Sequence, residues 1–389
     1  MVAPDTRIPT DGTIVSGSSE LNESMLTGES RPVEKGPQSR VIAGTINGSG
    51  TLLVRVTRLP GNNTITAIAA MVDEAKLSKP KMQELADKVA SYFVPVIVAL
   101  AIATFVIWIA VGVASQGKSG SEAAVQSITY AITVLIVSCP CAIGLAVPMV
   151  VVFASGIAAE KGVVFKSADS IEVAYKASHV VFDKTGTLTQ DGVLWAVFGL
   201  EDSLRDDASQ VVTTLLRRNV SVHVVSGDDV EPVQKVASIL GIPDRNVQVH
   251  SSPSDKQSYI KNLLGDSSNV EEPVVIFCGD GTNDAVALAQ ATVGIHMNAG
   301  SDIAQAAADV VLMRPALSGI ITVMDTSKVS VRRIKFNFGW SFVYNTFAVL
   351  LAAGAFVKAR IPPEFAGLGE LISVLPVIIA AALLRWTKI

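Results

Sequence analysis

Charge is scarce in this sequence, and cysteine is scarcer. Only 17% of the 389 residues are charged, against 49% hydrophobic and a mean hydropathy of +0.45. Soluble domains carry about 25% charged residues, so an ordinary soluble enzyme is excluded, while the charge that remains is too much for a pure membrane bundle. The 31 basic and 35 acidic residues give a formal net charge of −4, with no long basic block. Nucleic acid is therefore not an expected partner. Three cysteines, Cys139, Cys141 and Cys278, cannot build a disulfide framework; a reducing compartment or a metal role fits them better. The opening MVAPDTRIPTDG lacks the basic start and apolar stretch of a signal peptide. Internal repeats and low-complexity segments are absent too.

What the chain does have is long apolar runs. Four stretches, 90–114, 127–157, 338–357 and 366–385, are long enough to cross a bilayer, which takes roughly 20 apolar residues. SQGKSGSE separates the first two and VKARIPPE the last two, so each pair reads as a helical hairpin. Lys76, Lys79, Lys81 and Lys88 precede the first hairpin and Lys161 and Lys166 follow it; Arg332, Arg333 and Lys335 precede the second, with Arg385 and Lys388 after it. The positive-inside rule then places the hairpin ends, and everything between them, in the cytosol, with Lys358 and Arg360 as a small contrary signal. The expectation is an integral, multi-pass membrane protein with cytosolic soluble domains and the lipid bilayer as a partner.

Between the hairpins, HVVFDKTG, SVHVVSGDD and EPVVIFCGDG are Val-rich runs, each ending in Asp and Gly, and helical patterns alternate with them. That alternation indicates a parallel, doubly wound α/β sheet. Ligands bind at the carboxyl ends of such strands, where Asp183, Asp228 and Asp280 stand. Before the first hairpin, GTIVSG, VIAGTI and GTLLVRVTRL are short β-like pieces.

A strand-end aspartate followed by Lys, Thr, Gly and Thr suits a carboxylate nucleophile for a phosphoryl group, with backbone N–H groups cradling the oxygens. Asp280 can complete a Mg²⁺ site with Asp183. Lys256 supplies positive charge to the phosphoryl oxygens, and Ser226 a hydroxyl. Each alone is weak evidence, because a strand-end Asp is often only a turn residue. All four in this order make a purely structural explanation poor.

At this point the chain resembles a known family. DKTGTLT at 183–189 and GDGTNDA at 279–285 look like the signatures of P-type cation-transporting ATPases, whose phosphorylation domain belongs to the haloacid-dehalogenase-like superfamily. TGES at 27–30 matches their actuator loop, and SCPCAIGLA at 138–146 resembles the heavy-metal branch, known for copper(I) export. The resemblance implies ATP as substrate, phosphorylation of Asp183, and catalytic support from Lys256, Ser226 and Asn283. It implies Lys184, Thr185, Gly227 and Asp228 around the phosphate, and Mg²⁺ at Asp183, Thr185, Asp280 and Asp284. Glu29 would orient the water that hydrolyses the acyl phosphate. Related phosphatases carry a second Asp at the position of Thr185; without it an aspartyl phosphate should persist.

Within the second span, Pro140 opens the helix between Cys139 and Cys141, and two thiolates suit Cu⁺, Cd²⁺ or Zn²⁺. Tyr344 and Asn345 match additional membrane ligands of the copper branch. The fourth span departs from that branch: it reads GLGELISVLPVII where a Met and paired Ser would stand, closer to a fungal-type subgroup linked to copper or cadmium export. Glu370 there is an intramembrane carboxylate and a functional candidate by default. Cys278 reads as core.

The expected organisation is a partial β-rich actuator domain (1–62), a linker helix (63–89), a transmembrane hairpin carrying the CPC motif (90–157), the α/β phosphorylation domain (158–325) and a second transmembrane hairpin (326–389). The family's nucleotide-binding domain is expected to be missing after residue 189, since 190–201 are too few to form a core, and the family's N-terminal membrane helices are expected to be missing as well. A shortened heavy-metal pump for Cu⁺, with Cd²⁺ or Zn²⁺ as alternatives, is the leading reading. A non-pumping metal-binding or regulatory membrane protein is the alternative, and a membrane-tethered phosphatase a third. A metallochaperone or a full-length pump are further candidate partners.

Overall fold

The computed structural model describes residues 1–23, 32–59, 84–139, 141–190, 203–265, 272–297, 302–354 and 365–387. The chain divides into two compact units, one of residues 1–80 and 158–327, the other of 81–157 and 328–389. The linker expectation at 63–89 falls mostly outside the described residues, as does the TGES loop with Glu29.

The second unit is helical. α1 (Glu84–Ala114) and α2 (Gly120–Val137) are joined by a short turn, and α3 (Cys141–Glu160) follows across Pro140. α2 begins with a capping box: the Ser119 side chain accepts the Glu122 N–H, and the Glu122 carboxylate accepts the Ser119 N–H. Gly112 lets α1 approach α2 closely, because a Cβ there would lie 2.9 Å from the Ala123 methyl.

The first unit holds a seven-stranded sheet made of β1 (Val163–Phe165), β2 (His179–Phe182), β3 (Ser221–Val225), β4 (Val247–Gln248), β5 (Val275–Gly279), β6 (Val293–Met297) and β7 (Val310–Leu312), in the order β4-β3-β2-β5-β6-β7-β1. Every pairing is parallel except β7 with β1. β2 is central, Val181 standing opposite His223 on one side and Phe277 on the other. Its alternate residues feed two cores. Val180 and Phe182 pack with Val211 and Leu215 of α4 (Ala208–Arg217) and Val233 and Ala237 of α5 (Val230–Leu240). Val181 packs with Ile260 of α6 (Pro253–Leu264) and with the short helix Ala285–Gln290. Burial on both faces explains why these strands read as unbroken apolar runs. The order reverses next to β2, and the carboxyl ends of β2, β3 and β5 lie side by side there.

Residues 1–59 form two antiparallel three-stranded sheets, one of Gly12–Ser16, Arg40–Val41 and Leu53–Val56, the other of Ser19–Asn22, Val33–Lys35 and Ile46–Asn47. Val2, Ile8, Ile14, Leu21, Val41 and Leu52 form their core.

α7 (Ser318–Ala352) and α8 (Ala366–Ala382) complete the chain. Among the described residues three helical stretches are long and apolar enough to cross a membrane: Ser91–Ala114, Gly120–Glu160 and Gly367–Trp386. Four spans were expected. The stretch 338–357 does not qualify because Ser341, Asn345 and Thr346 dilute its hydropathy and 355–357 lie outside the described residues. The spans carry apolar side chains on their surfaces, such as Val94, Ile102, Ile107, Leu371 and Ile379, as lipid contact requires. The chain is an integral membrane protein.

Candidate active site

The site lies at the carboxyl ends of β2, β3 and β5. Asp183 follows β2 directly, and its backbone N–H bonds the Cys278 carbonyl at 2.9 Å, fixing it against the end of β5. Lys256 reaches it from the first turn of α6, a position set by sequence. Pro253 opens the helix, while Ser252 and Asp255 form a reciprocal capping box. The buried Lys256 Nζ lies 2.5 Å from Asp183 Oδ1 and 2.7 Å from Asp284 Oδ1. One carboxylate oxygen from each of Asp183, Asp280 and Asp284 lies within 4.8 Å of the others. Lys184 pairs with Asp228, and the Ser226 hydroxyl accepts the Asp228 N–H at 3.2 Å.

Three carboxylates share one lysine, so charge is unbalanced. Burial, then the Asp284 charge, pushes Asp183 up to about 7 against the pull of Lys256. Burial, Asp284 and Asp183 push Asp280 up to about 8. Burial disfavours the charged form of Lys256, but Asp183 and Asp284 outweigh it and raise its pKa. A hard divalent cation fits this donor set: Mg²⁺ takes carboxylate oxygens and water, and would hold all three groups ionised.

Gly186 makes the loop possible. Its φ is +72°, and a Cβ there would overlap the Asp280 carboxylate. Gly279 is similarly constrained, since a Cβ would run into Asp284.

The structure brings Asp183, Lys256, Asp280 and Asp284 together, with Lys184, Ser226 and Asp228 beside them. Thr185 and Gly186 belong to the loop after Asp183, Gly227 follows Ser226, and Asn283 is buried one residue before Asp284. Cys278 is buried in the sheet core, where burial raises its pKa. Sequence reasoning missed Arg205. Its guanidinium donates to the carbonyls of Gly186, of Thr187 at 2.6 Å and of Pro315 at 3.1 Å, tying down the loop after the nucleophile. A lone arginine in DSLRDDA carries no signal for that role; its partners are backbone atoms distant in sequence.

Just past this loop, Thr189–Gln190 pairs antiparallel with Ser203–Leu204. Residues 191–202 connect those strands and lie outside the described residues, so the expected absence of a nucleotide-binding domain after 189 falls on them.

In the helical unit, Cys139 and Cys141 are joined as a disulfide. Cysteines two residues apart on an interrupted helix reach bonding distance, and the expectation of two thiolates concerns the reduced form of this pair. The Tyr344 hydroxyl donates to the Gly369 carbonyl, and Asn345 is buried.

Comparison with known proteins agrees with this geometry. Residues 1–73 match a model of the P-type ATPase actuator domain, and residues 192–292 a model of the haloacid dehalogenase-like hydrolases. Copper-transporting ATPase RAN1 of Arabidopsis thaliana is 31% identical across all of this chain and 52% of its own length. A probable copper-exporting P-type ATPase of Archaeoglobus fulgidus is 29% identical across 99% of this chain and 59% of its length. The chain thus spans about half the length of the curated relatives it matches. The match to RAN1 runs over 525 residues, so that relative carries internal stretches this chain lacks. A crystal structure of a zinc-transporting PIB-type ATPase in the E2.Pi state superimposes with a TM-score of 0.81 at 21% identity, covering 99% of this chain and 77% of that one.

Proposed function

Because the chain belongs to the P-type ATPase family, we propose that Asp183 accepts a phosphoryl group and that the resulting acyl phosphate drives movement of a heavy-metal cation through the helical unit. The observation that carries this reading is the convergence of Asp183, Asp280 and Asp284 with Lys256 at the strand ends. An Asp183 oxygen attacks phosphorus as the bond to the leaving oxygen breaks. Lys256 and the backbone around Lys184–Thr187 hold the charge that develops on the phosphoryl oxygens. Ser226 and Thr185 offer hydroxyls to the same oxygens, and Asn283 orients the loop that carries Asp284. Bound Mg²⁺, held by Asp183, Asp280 and Asp284 with Thr185 adjacent, would supply the remaining positive charge. Glu29 directs water to the acyl phosphate in the second half of the cycle.

ATP is the donor this family membership supports, and a soft ion passing Cys139 and Cys141 is the cargo, copper being the metal in the names of the relatives. Between Gln190 and Ser203 the chain has only twelve residues in which to hold a nucleotide. The test uses inorganic phosphate, which needs no adenine pocket. The full chain in detergent with labelled phosphate and Mg²⁺ should acquire hydroxylamine-sensitive label, and Asp183→Asn should abolish it. Label that survives the substitution would remove the assignment.

A further inference from the structure

Three ring side chains join the elements that deliver the strand-end site. Tyr259 stands three residues after Lys256 on α6, so the two side chains leave the same side of the helix. The Tyr259 hydroxyl lies 2.8 Å from His223 Nδ1, and His223 Nε2 lies 3.0 Å from His179 Nδ1. The rings are inclined to one another, with centroids 5.8 Å apart for His223 and Tyr259 and 5.2 Å apart for His179 and His223. His179 opens β2, four residues before Asp183, and His223 sits in β3, three residues before Ser226. The network therefore ties α6 to the two strands that end in Asp183 and Ser226.

Its hydrogen bonds run in one sense. A neutral imidazole has one N–H and one lone pair. His223 is neutral: it is 5% exposed, and burial, then the charge of His179, holds its pKa down to about 4. Burial raises the pKa of Tyr259, so its hydroxyl keeps its proton. If Tyr259 donates to Nδ1, then Nε2–H donates to His179; if Nδ1–H donates to Tyr259, then Nε2 accepts from His179. In either sense both bonds of His223 are made together. Removing the Tyr259 hydroxyl leaves a buried nitrogen unbonded, which is costly.

Apolar packing alone does not fix α6 in rotation. Ile260 is fully buried in one core with Val181 and Val225 and holds the helix onto the sheet. Such contacts are non-directional and tolerate a roll about the helix axis. Towards the short helix Ala285–Gln290, the Gln257 amide donates to Gln290 at 3.3 Å, a longer bond. Lys256 needs closer control, because its Nζ bonds Asp183 at 2.5 Å and Asp284 at 2.7 Å together. A roll of α6 would carry it away from both. We propose that His223 and Tyr259 are positioning residues for Lys256, the network from His179 setting the roll of α6 and thereby the place of the ammonium beside Asp183 and the phosphoryl oxygens. The inference rests on the phosphoryl-acceptor reading of Asp183 and adds to it two residues that act through Lys256.

The test uses the full chain in detergent, as wild type, Tyr259→Phe and His223→Leu. One measurement labels the chain with inorganic phosphate and Mg²⁺, each varied at a saturating level of the other. A second exposes the chain, without phosphate, to an amine-acylating reagent and follows Lys256 and Lys184 by peptide mass spectrometry. Lys184 is the internal control: it is 5% exposed and paired with Asp228, and it lies on the loop after β2 rather than on α6. Tyr259→Phe keeps the ring and its packing and loses only the hydroxyl. In both variants half-saturating phosphate should rise about tenfold or more, since small displacements of a group at the reacting centre cost that much. Half-saturating Mg²⁺ should not rise, because its ligands stand on other elements. Lys256 should acylate about tenfold faster, and Lys184 at the wild-type rate. Wild-type protection of Lys256 in Tyr259→Phe would show that packing alone holds the helix, and equal exposure of Lys184 would show a general loosening. Either result, or an unchanged phosphate dependence, overturns the role of Tyr259 and His223. If wild type takes no label at all, the phosphoryl-acceptor reading fails, and the acylation rates still decide whether the network holds Lys256.

Discussion

Lys256 is the residue whose loss reads the electrostatics of the site most clearly. It is 1% exposed and bonds Asp183 and Asp284 at 2.5 and 2.7 Å. Lys256→Met keeps the length and burial of the side chain and removes only the cation. Breaking a buried ion pair by deleting one partner costs about 3–5 kcal/mol, because the other charge is left uncompensated. That cost depends on pH with a definite sign. Asp183 and Asp280 already have folded pKa values raised to about 7 and about 8. Groups raised in this way bind more protons folded than unfolded, so the stability they contribute is lost as pH rises towards those values. Removing Lys256 raises them further. The destabilisation should therefore be small near pH 5.5, where the carboxylates can stay protonated, and approach the full value near pH 8. Millimolar Mg²⁺ should restore much of it. The readout is hydrogen exchange in Val180–Phe182 and Ile276–Cys278, the strands that carry the site, because a chain of two units does not unfold as one. Equal protection of variant and wild type at pH 8 without Mg²⁺, or a deficit that does not change with pH, would refute this reasoning.

Three further outcomes follow from the same geometry. Gly186→Ala should abolish Mg²⁺-dependent phosphorylation while leaving the sheet folded, because its Cβ overlaps the Asp280 carboxylate and its φ is left-handed; a variant labelled at the wild-type rate would contradict it. Arg205→Met frees the carbonyls of Gly186 and Thr187, so phosphorylation should fall about tenfold or more with circular dichroism unchanged, and an unaffected rate would show that the loop holds itself. Phosphorylation by ATP should be slow. Positioning contributes about 7–11 kcal/mol in favourable cases, and losing half of it costs roughly a thousandfold or more in rate; rapid labelling by micromolar ATP would show that nucleotide is positioned by other means.

The strand-end cluster around Asp183 was largely legible in the sequence, and for a physical reason. Strands buried on both faces leave unbroken Val-rich runs, and the polar residues that end those runs mark the edge where ligands bind. HVVFD and VVIFCGD therefore announced Asp183 and Asp280, while Lys256 was picked out by its charge and only the structure showed the Ser252–Asp255 cap that sets the helix delivering it. Arg205 was not legible, because its work is done on main-chain carbonyls that no side-chain pattern records. The membrane part was read less completely. Hydropathy exposed the apolar runs, yet Ser341 and Asn345 lower it in the stretch where α7 turns apolar. The spacing of Cys139 and Cys141 permits a dithiolate and a disulfide alike. The proximity of Glu370 to them depends on packing between helices distant in sequence, which composition does not encode.

One aspartate in this chain, Asp183, should carry the phosphoryl group. Chemical trapping tests it without relying on a variant. The full chain is incubated with inorganic phosphate and Mg²⁺, reduced with borohydride, which converts an acyl phosphate to an alcohol, and digested for peptide mass spectrometry. Reduction should occur at Asp183 within DKTGTLT and at no other carboxylate. Reduction at Asp280 or Asp284, or at none of the three, would contradict it.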